Sequence, residues 1–284
     1  GKKYFSPYGN PFLTDGPPGE HLPDRLATEV SAFIAEHKHE RFFVYLPFYS
    51  VHTPLMAPEA LVAKYEAKQK RLGLEPRFEP EPPRENRVVQ EHAVYAGMVE
   101  AMDAAVGKVL DALDAAGVAD DTLVIFFSDN GGLSTSEGSP TSNLPYRAGK
   151  GWMYEGGIRV PLLVRWPAKG KAGAACAVPV ISTDFYPTIL DACGLDRLPE
   201  QHVDGVSFAK LLEDPDAKHD RPPLFWHYPH WGNQGGIPSS AIRDGDWKLI
   251  TFAWQKTPEL YNLADDPGER RNLALAESSK LAEL

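Results

Sequence analysis

Cysteine is almost missing from this chain: 284 residues hold two, Cys176 and Cys193. Two thiols cannot form a disulfide framework and are not spaced as thiolate metal ligands, so both are expected to be unpaired core residues. Also missing is any run of about 18 uncharged apolar residues, which argues against a helical membrane span. No block of basic residues occurs, and 29 Lys and Arg against 39 Asp and Glu give a formal net charge of -10. A nucleic-acid surface depends on clustered cations, so the charge argues against one and reads as ordinary solubility. There is no internal repeat, no initiator methionine and no secretory apolar segment. The first residues, "GKKYFSPYGNPFLTDGPPGE", are dense in Gly, Pro and aromatics, as in the middle of a longer protein. What is present, 43% hydrophobic and 11% aromatic residues, suffices to bury a sizeable core in one large or two smaller domains.

Leu22, Leu26, Val30, Phe33 and Ile34 recur at helical spacing over residues 22 to 38, and "RFFVYLPF", giving a strand over 42–48, is a continuous run of β-formers. The Pro- and charge-rich "EPRFEPEPPREN" reads as a solvated loop. A long helix is expected from about Val88 to Ala116, with Tyr95, Met98, Met102, Val106, Val109 and Leu113 inward and Gly117 as its stop. "TLVIFFS" and "RVPLLVRWP" read as strands, Pro161 marking an edge or a start, and "TDFYPTILDAC" as a helix ending at Gly194. Helices alternating with unbroken apolar strands predict an α/β unit whose mostly parallel sheet is sandwiched by helices. "PLFWHYP", "SSAIRD", "WKLITFA" and "PELYNLA" then read as short antiparallel pieces before a terminal helix in "LALAESSKLAEL". The expected division is 1–218 for the α/β domain and 219–284 for a small α+β domain.

Ligands of open α/β sheets bind beyond the carboxyl ends of the strands. "SVHTPL" follows the strand 42–48 and "SDNGGL" the strand 123–127, so His52 and the pair Asp129 and Asn130 are candidates for one crevice. Asp-Asn-Gly-Gly is by itself a turn sequence. Its functional reading is a hard-cation site, since carboxylate and amide oxygens are calcium ligands, although calcium takes about six to eight. Lys150, in the Gly-flanked "YRAGKGWMYEGGIRVP", is either solvent-facing or a cation with room for an anion. "FWHYPHWGNQGG" holds His227, His230, Trp226 and Trp231, whose rings either stack on a substrate or pack the domains together.

Taken in order, "FFVYLPFYSVHTPL", "YAGMVEAMDAAVGKVLDAL", "TLVIFFSDNGG", "GKGWMYEGGIRVPLLVRWP", "STDFYPTILDACGL", "AIRDGDWKLI" and "ELYNLADDPGERRNLA" resemble the blocks of the type I, formylglycine-dependent sulfatases of the alkaline-phosphatase-like superfamily. The resemblance covers nearly the whole chain. It implies that Asp129 and Asn130 are calcium ligands, that His52 contacts the sulfate and its bridging oxygen, and that Lys150 contacts sulfate oxygens and assists the leaving group. A divalent metal, a Lys and a protonated His can together stabilise the charge built up in sulfate-ester hydrolysis. Glu155 and Arg159 match as well, and read as a structural ion pair or loop anchor.

The family's formylglycine is made from the Cys or Ser of a Cys/Ser-x-Pro/Ala-x-Arg motif. "CAVPV" and "CGLDR" do not fit it, while "SSAIR" at Ser239 does, in a late segment unlike the family's helix start. The paired aspartates of the family's first strand are absent too. The expectation is therefore the C-terminal part of a sulfatase, incomplete in its calcium site and inactive alone, whose missing N-terminal segment or self-association covers exposed sheet edges. The resemblance further implies a sulfated small molecule or carbohydrate as ligand, carbohydrate favoured, and a periplasmic or secreted location. Two rival readings are a metal-dependent phosphodiesterase or phosphonate hydrolase on the same scaffold, and a non-catalytic anion-binding or scaffolding protein.

Overall fold

In the computed structural model, which describes residues 3–201, 203–255 and 257–284, the first regular element is α1 (Leu22–His37). Pro23 sits in its first turn, where a missing N–H costs nothing, and Ala27 and Ile34 are buried. Gly1 and Lys2 of the opening segment lie outside the described residues. The rest of that segment is fastened: Phe5 bridges His21 and Tyr4 is buried. Residues 42–48, expected as a buried strand, form no regular strand and pair with none among the described residues, and Phe43 and Tyr45 are 73% and 79% exposed. A strand needs a pairing partner, which local β-propensity does not supply.

The helix α2 (Glu59–Leu72) buries none of its residues fully. The expected solvated loop is instead a hairpin, β1 (Phe78–Glu81) with β2 (Arg84–Arg87), turning at Pro82 and Pro83. Its charges made it look like loop, yet Glu81 and Arg87 are buried beside partners, Arg147 and Glu91. The long helix α3 (Ala93–Ala116) begins later than expected, after a non-helical stretch over 88–92. It stops before Gly117, at φ +72°, as expected, and buries Met98 and Leu113 of the expected face together with Gly97 and Ala105. Both α1 and α2 pack on α3, and a Cβ on Gly97 would lie 3.0 Å from the Ala57 methyl. A short helix, α4 (Glu155–Ile158), follows the Lys150 loop.

The described residues form two compact units, one of 1–116, 129–160 and 224–284 and another of 117–128 and 161–223. The second unit holds β3 (Val124–Phe127) and β4 (Leu162–Arg165), followed by α5 (Phe185–Ala192), which ends before Gly194 as expected, and α6 (Ala209–Glu213). Asp184, fully buried, accepts bonds from Ile181 N–H (2.8 Å), Val206 N–H (2.8 Å) and Arg221 Nη1 (2.6 Å). β3 and β4 are antiparallel, and so is every strand pair among the described residues. Cys176 and Cys193 are unpaired as expected, but exposed and not in the core.

The first unit closes with a four-stranded antiparallel sheet, β5 (Leu224–Tyr228), β6 (Ser239–Asp244), β7 (Trp247–Phe252) and β8 (Glu259–Asn262), in that spatial order. These are the four short pieces read from the sequence. The terminal helix α7 (Ser278–Glu283) is shorter than "LALAESSKLAEL" suggested. Ala241, Ile250 and Tyr261 of the sheet form one core with Ala148, Met153 and Tyr154. The Lys150 loop is thereby held against a rigid β platform.

Candidate active site

Every site residue singled out in the sequence lies in the first unit. The turn Asp129–Gly132 is set by glycine and amide contacts. Gly131 donates its N–H to Gly157 O at 2.9 Å, and a Cβ there would lie 1.7 Å from Gly156 O, so only glycine fits. Gly132 O accepts from Lys150 N–H (3.1 Å) and from Asn143 Nδ2 (2.8 Å), while its N–H donates to Asn143 Oδ1 (3.1 Å). Asn143 Nδ2 also reaches Ala148 O at 2.9 Å. One side-chain amide thus joins the Asp129–Asn130 turn to the Lys150 loop.

Beneath the loop, Arg147 clasps Glu81 through Nη2 (2.7 Å) and lies 3.8 Å over the Tyr154 ring, while Tyr154 and Tyr261 both donate to Glu259 Oε2 at 2.8 Å. Burial raises the Tyr154 phenol well above its ordinary range. Glu155 is anchored as expected: Lys248 Nζ lies 3.0 Å from its Oε1 and 2.8 Å from Glu269 Oε1, with Arg159 and Arg243 at 3.7 Å and 3.6 Å from Glu155 Oε2.

His52 is exposed on a loop held by Tyr4, whose hydroxyl donates to Tyr49 O (2.6 Å) and His52 O (3.0 Å). Burial pushes the Tyr4 phenol up to about 12, so it stays a donor. His52 Nδ1 lies 2.8 Å from Thr53 O. A carbonyl only accepts, so Nδ1 is the donor to Thr53 O and Nε2 is the ring nitrogen left for another partner. Thr53 in turn donates to Glu137 Oε2 at 3.2 Å, and Asn233 and Gln234 donate to Glu137 Oε1 at 2.8 and 3.3 Å. The Asn233 bond chiefly, with the Thr53 bond and the charges of Lys150 and His52, holds the Glu137 carboxyl below its usual range. His52 and Lys150, separated by nearly a hundred residues in sequence, therefore act on one carboxylate. Sequence reasoning missed Glu137, Asn143, Asn233 and Gln234; their only trace was polar residues set among glycines and serines.

Asp129 is exposed, and its Oδ1 accepts a 2.6 Å bond from Asn130 Nδ2. The pair offers oxygens of the kind a hard cation takes, in too small a number. Among the described residues no group of three or more His, Cys, Asp and Glu could hold a metal. His227 Nδ1 lies 2.8 Å from Ser240 Oγ, and His230 packs edge-on to Tyr228 at 5.3 Å. Trp226 is half-buried against the sheet core, whereas Trp231 is exposed. Ser239 lies buried in β6 and gives its hydroxyl to Ile237 O at 2.9 Å, as an ordinary strand residue does. Among the described residues no helix is long and apolar enough to cross a membrane.

A family profile described as "Sulfatase" matches residues 2–195, and one described as "N-sulphoglucosamine sulphohydrolase, C-terminal" matches residues 148–283. A curated sulfatase of Formosa agariphila is 38% identical over 289 residues, covering 95% of this chain and 48% of its own length. The solved structure of Ps i-CgsB in complex with k-i-k-neocarrahexaose is 29% identical with a TM-score of 0.77, over 96% of this chain and 55% of that one. A protein solved in complex with its substrate D-glucosamine-2-N,6-O-disulfate is 28% identical with a TM-score of 0.58, over 68% of this chain and 39% of its own. The chain thus spans about half the length of the first relatives it matches. It belongs to the sulfatase family and has that family's alkaline-phosphatase-like fold.

Proposed function

We propose that this chain carries the sulfate-binding and leaving-group side of a sulfatase active site, acting on sulfated carbohydrates. The observation that carries this reading is the junction at Glu137, around which the loops of His52, Lys150 and Asn233 meet. Lys150, its backbone fixed to Gly132 O, offers an ammonium to the sulfate oxygens. His52, with Nδ1 engaged by Thr53 O, presents Nε2 to the bridging oxygen, where the protonated ring donates as the leaving alcohol departs. Glu137 orients Thr53, and the charges of Lys150 and His52 help hold its own carboxyl below the usual range.

Asp129 and Asn130 would contribute two oxygens to a calcium ion, which when bound supplies positive charge against sulfate; other carboxylates and a substrate oxygen would complete the shell. The formylglycine nucleophile is likewise expected on a segment that this sequence does not contain, so the chain alone is expected to bind sulfate without turning over an ester. Carbohydrate sulfates are favoured because the ligands of the two solved relatives are a neocarrahexaose and a glucosamine disulfate.

Titration calorimetry of sodium sulfate into the chain, with and without calcium, tests the reading. Binding that weakens at least tenfold in both Lys150→Ala and His52→Ala is expected; equal binding by both variants sinks it. A chromogenic aryl sulfate then tests the division of labour: turnover is expected only when an N-terminal sulfatase segment with the Cys-type motif is added.

A further inference from the structure

The loop between β5 and β6, residues 229–238, is pinned by backbone and side-chain bonds, some of them to the residues beside Lys150. Gln234 O accepts from Thr135 Oγ1 (2.9 Å) and from Trp152 Nε1 (3.0 Å), and Asn233 O accepts from Arg84 Nη2 (2.8 Å). A Cβ on Gly236 would lie 1.7 Å from the backbone oxygen of Gly151, the residue after Lys150. The neighbouring loop beyond β7 is tied on by Ala253 N–H to Pro238 O at 3.0 Å. Each of these two loops ends its pinned stretch with an exposed tryptophan. Trp231 and Trp254 are each 67% exposed, yet their rings stack on one another, centroids 5.3 Å apart and planes 25° from parallel.

Two largely exposed indoles stacked on one another present apolar ring surface, and the loop that carries Trp231 also carries His230, Asn233 and Gln234. Apolar faces of this kind with polar atoms at the edge suit a pyranose, which has C–H faces and hydroxyl edges. We infer that the Trp231–Trp254 pair is a saccharide platform, receiving a pyranose ring of the sulfated carbohydrate while its sulfate sits at Lys150 and His52. This rests on the sulfate-site reading above for the sulfate, but not for the ring. The occupant is a sugar and not a second copy of the chain because the pair continues the loop that carries Asn233 and Gln234 to Glu137. Preorganised rings lose little freedom on binding, which favours a weakly held ligand.

The test uses the chain as it is, with three probes: D-glucose 6-sulfate, sodium sulfate and methyl β-D-glucoside. Trp231→Ala and Trp254→Ala remove exposed rings, so both variants are expected to keep the wild-type melting temperature. Each should weaken D-glucose 6-sulfate binding about tenfold and leave sodium sulfate unchanged, a loss of the size expected for one ring contact. Saturation-transfer NMR should carry magnetisation from the indoles to the C–H protons of methyl β-D-glucoside in the wild type and lose it in either variant. Glucoside transfer without sulfate binding would uphold the platform and reject the sulfate site; sulfate binding without glucoside transfer would do the reverse. A concentration-dependent dimer that Trp231→Ala dissociates would overturn the platform in favour of self-association.

Discussion

Lys150 and Lys248 both answer to carboxylates, and their settings are opposite. Lys248 has no exposed surface and lies between Glu155 and Glu269, themselves 1% and 0% exposed. Burial raises the Glu269 carboxyl, opposed chiefly by the Lys248 charge. Lys150 stands half-buried on a glycine-flanked loop, its backbone held by Gly132 and its charge felt by an exposed, ionised Glu137. A buried cation closed by protein carboxylates has no capacity left for a ligand, and serves the fold. A cation whose backbone is held and which is not enclosed by protein carboxylates can take up an anion at little reorganisation cost. Residue type does not separate these roles; desolvation does.

The largest effect should come from the dry cluster. Lys248→Met leaves two carboxylates buried without their cation and should cost about 3–5 kcal/mol in urea unfolding. A loss under about 1 kcal/mol would mean that the cluster is wet and the contrast false. Next comes the amide between the loops: Asn143→Ala strands Gly132 and Ala148 groups and should cost about 1–3 kcal/mol, while also weakening sulfate binding because Lys150 loses its register. Unchanged sulfate affinity would separate the stability of the junction from its function.

Glu137 ties stability to pH. Its folded carboxyl is held below the ordinary 4.5, so its stabilisation is present above that value and lost as pH falls through the lower folded value. Melting temperatures taken from pH 5 to pH 3 should therefore fall further for the wild type than for Glu137→Gln. Parallel curves would remove Glu137 from the junction. Smallest of all should be the effect of Lys150→Ala on stability, within about 0.5 kcal/mol in the same urea experiment. A larger loss would make Lys150 a second structural lysine.

Much of this was legible in the sequence, and the limits have physical reasons. The four strands of the terminal sheet, the helix stops at Gly117 and Gly194, and the turn and loop carrying Asp129, Asn130 and Lys150 follow from local pattern and backbone preference. The hairpin of Phe78–Arg87 did not, because its charges are neutralised by Arg147 and Glu91, and Arg147 is remote in sequence. Nor did α2, which buries no residue fully and so lacks a strong apolar stripe. "RFFVYLPF" has the composition of a core strand, but composition cannot provide the partner that would bury Phe43 and Tyr45. At the site, His52 and Lys150 could be picked out; the Glu137 carboxylate that links them depends on contacts with Thr53 and Asn233, 84 and 96 residues away along the chain.

Lys248 also gives the molecule an internal chemical clock. Amine-reactive reagents acylate lysines that meet solvent, whereas a side chain with no exposed surface reacts only when the surrounding structure opens. Under fast reclosing, its acylation rate in a peptide map would report the opening free energy of the core beneath the Lys150 loop, with the exposed lysines of the same chain serving as the zero of the scale.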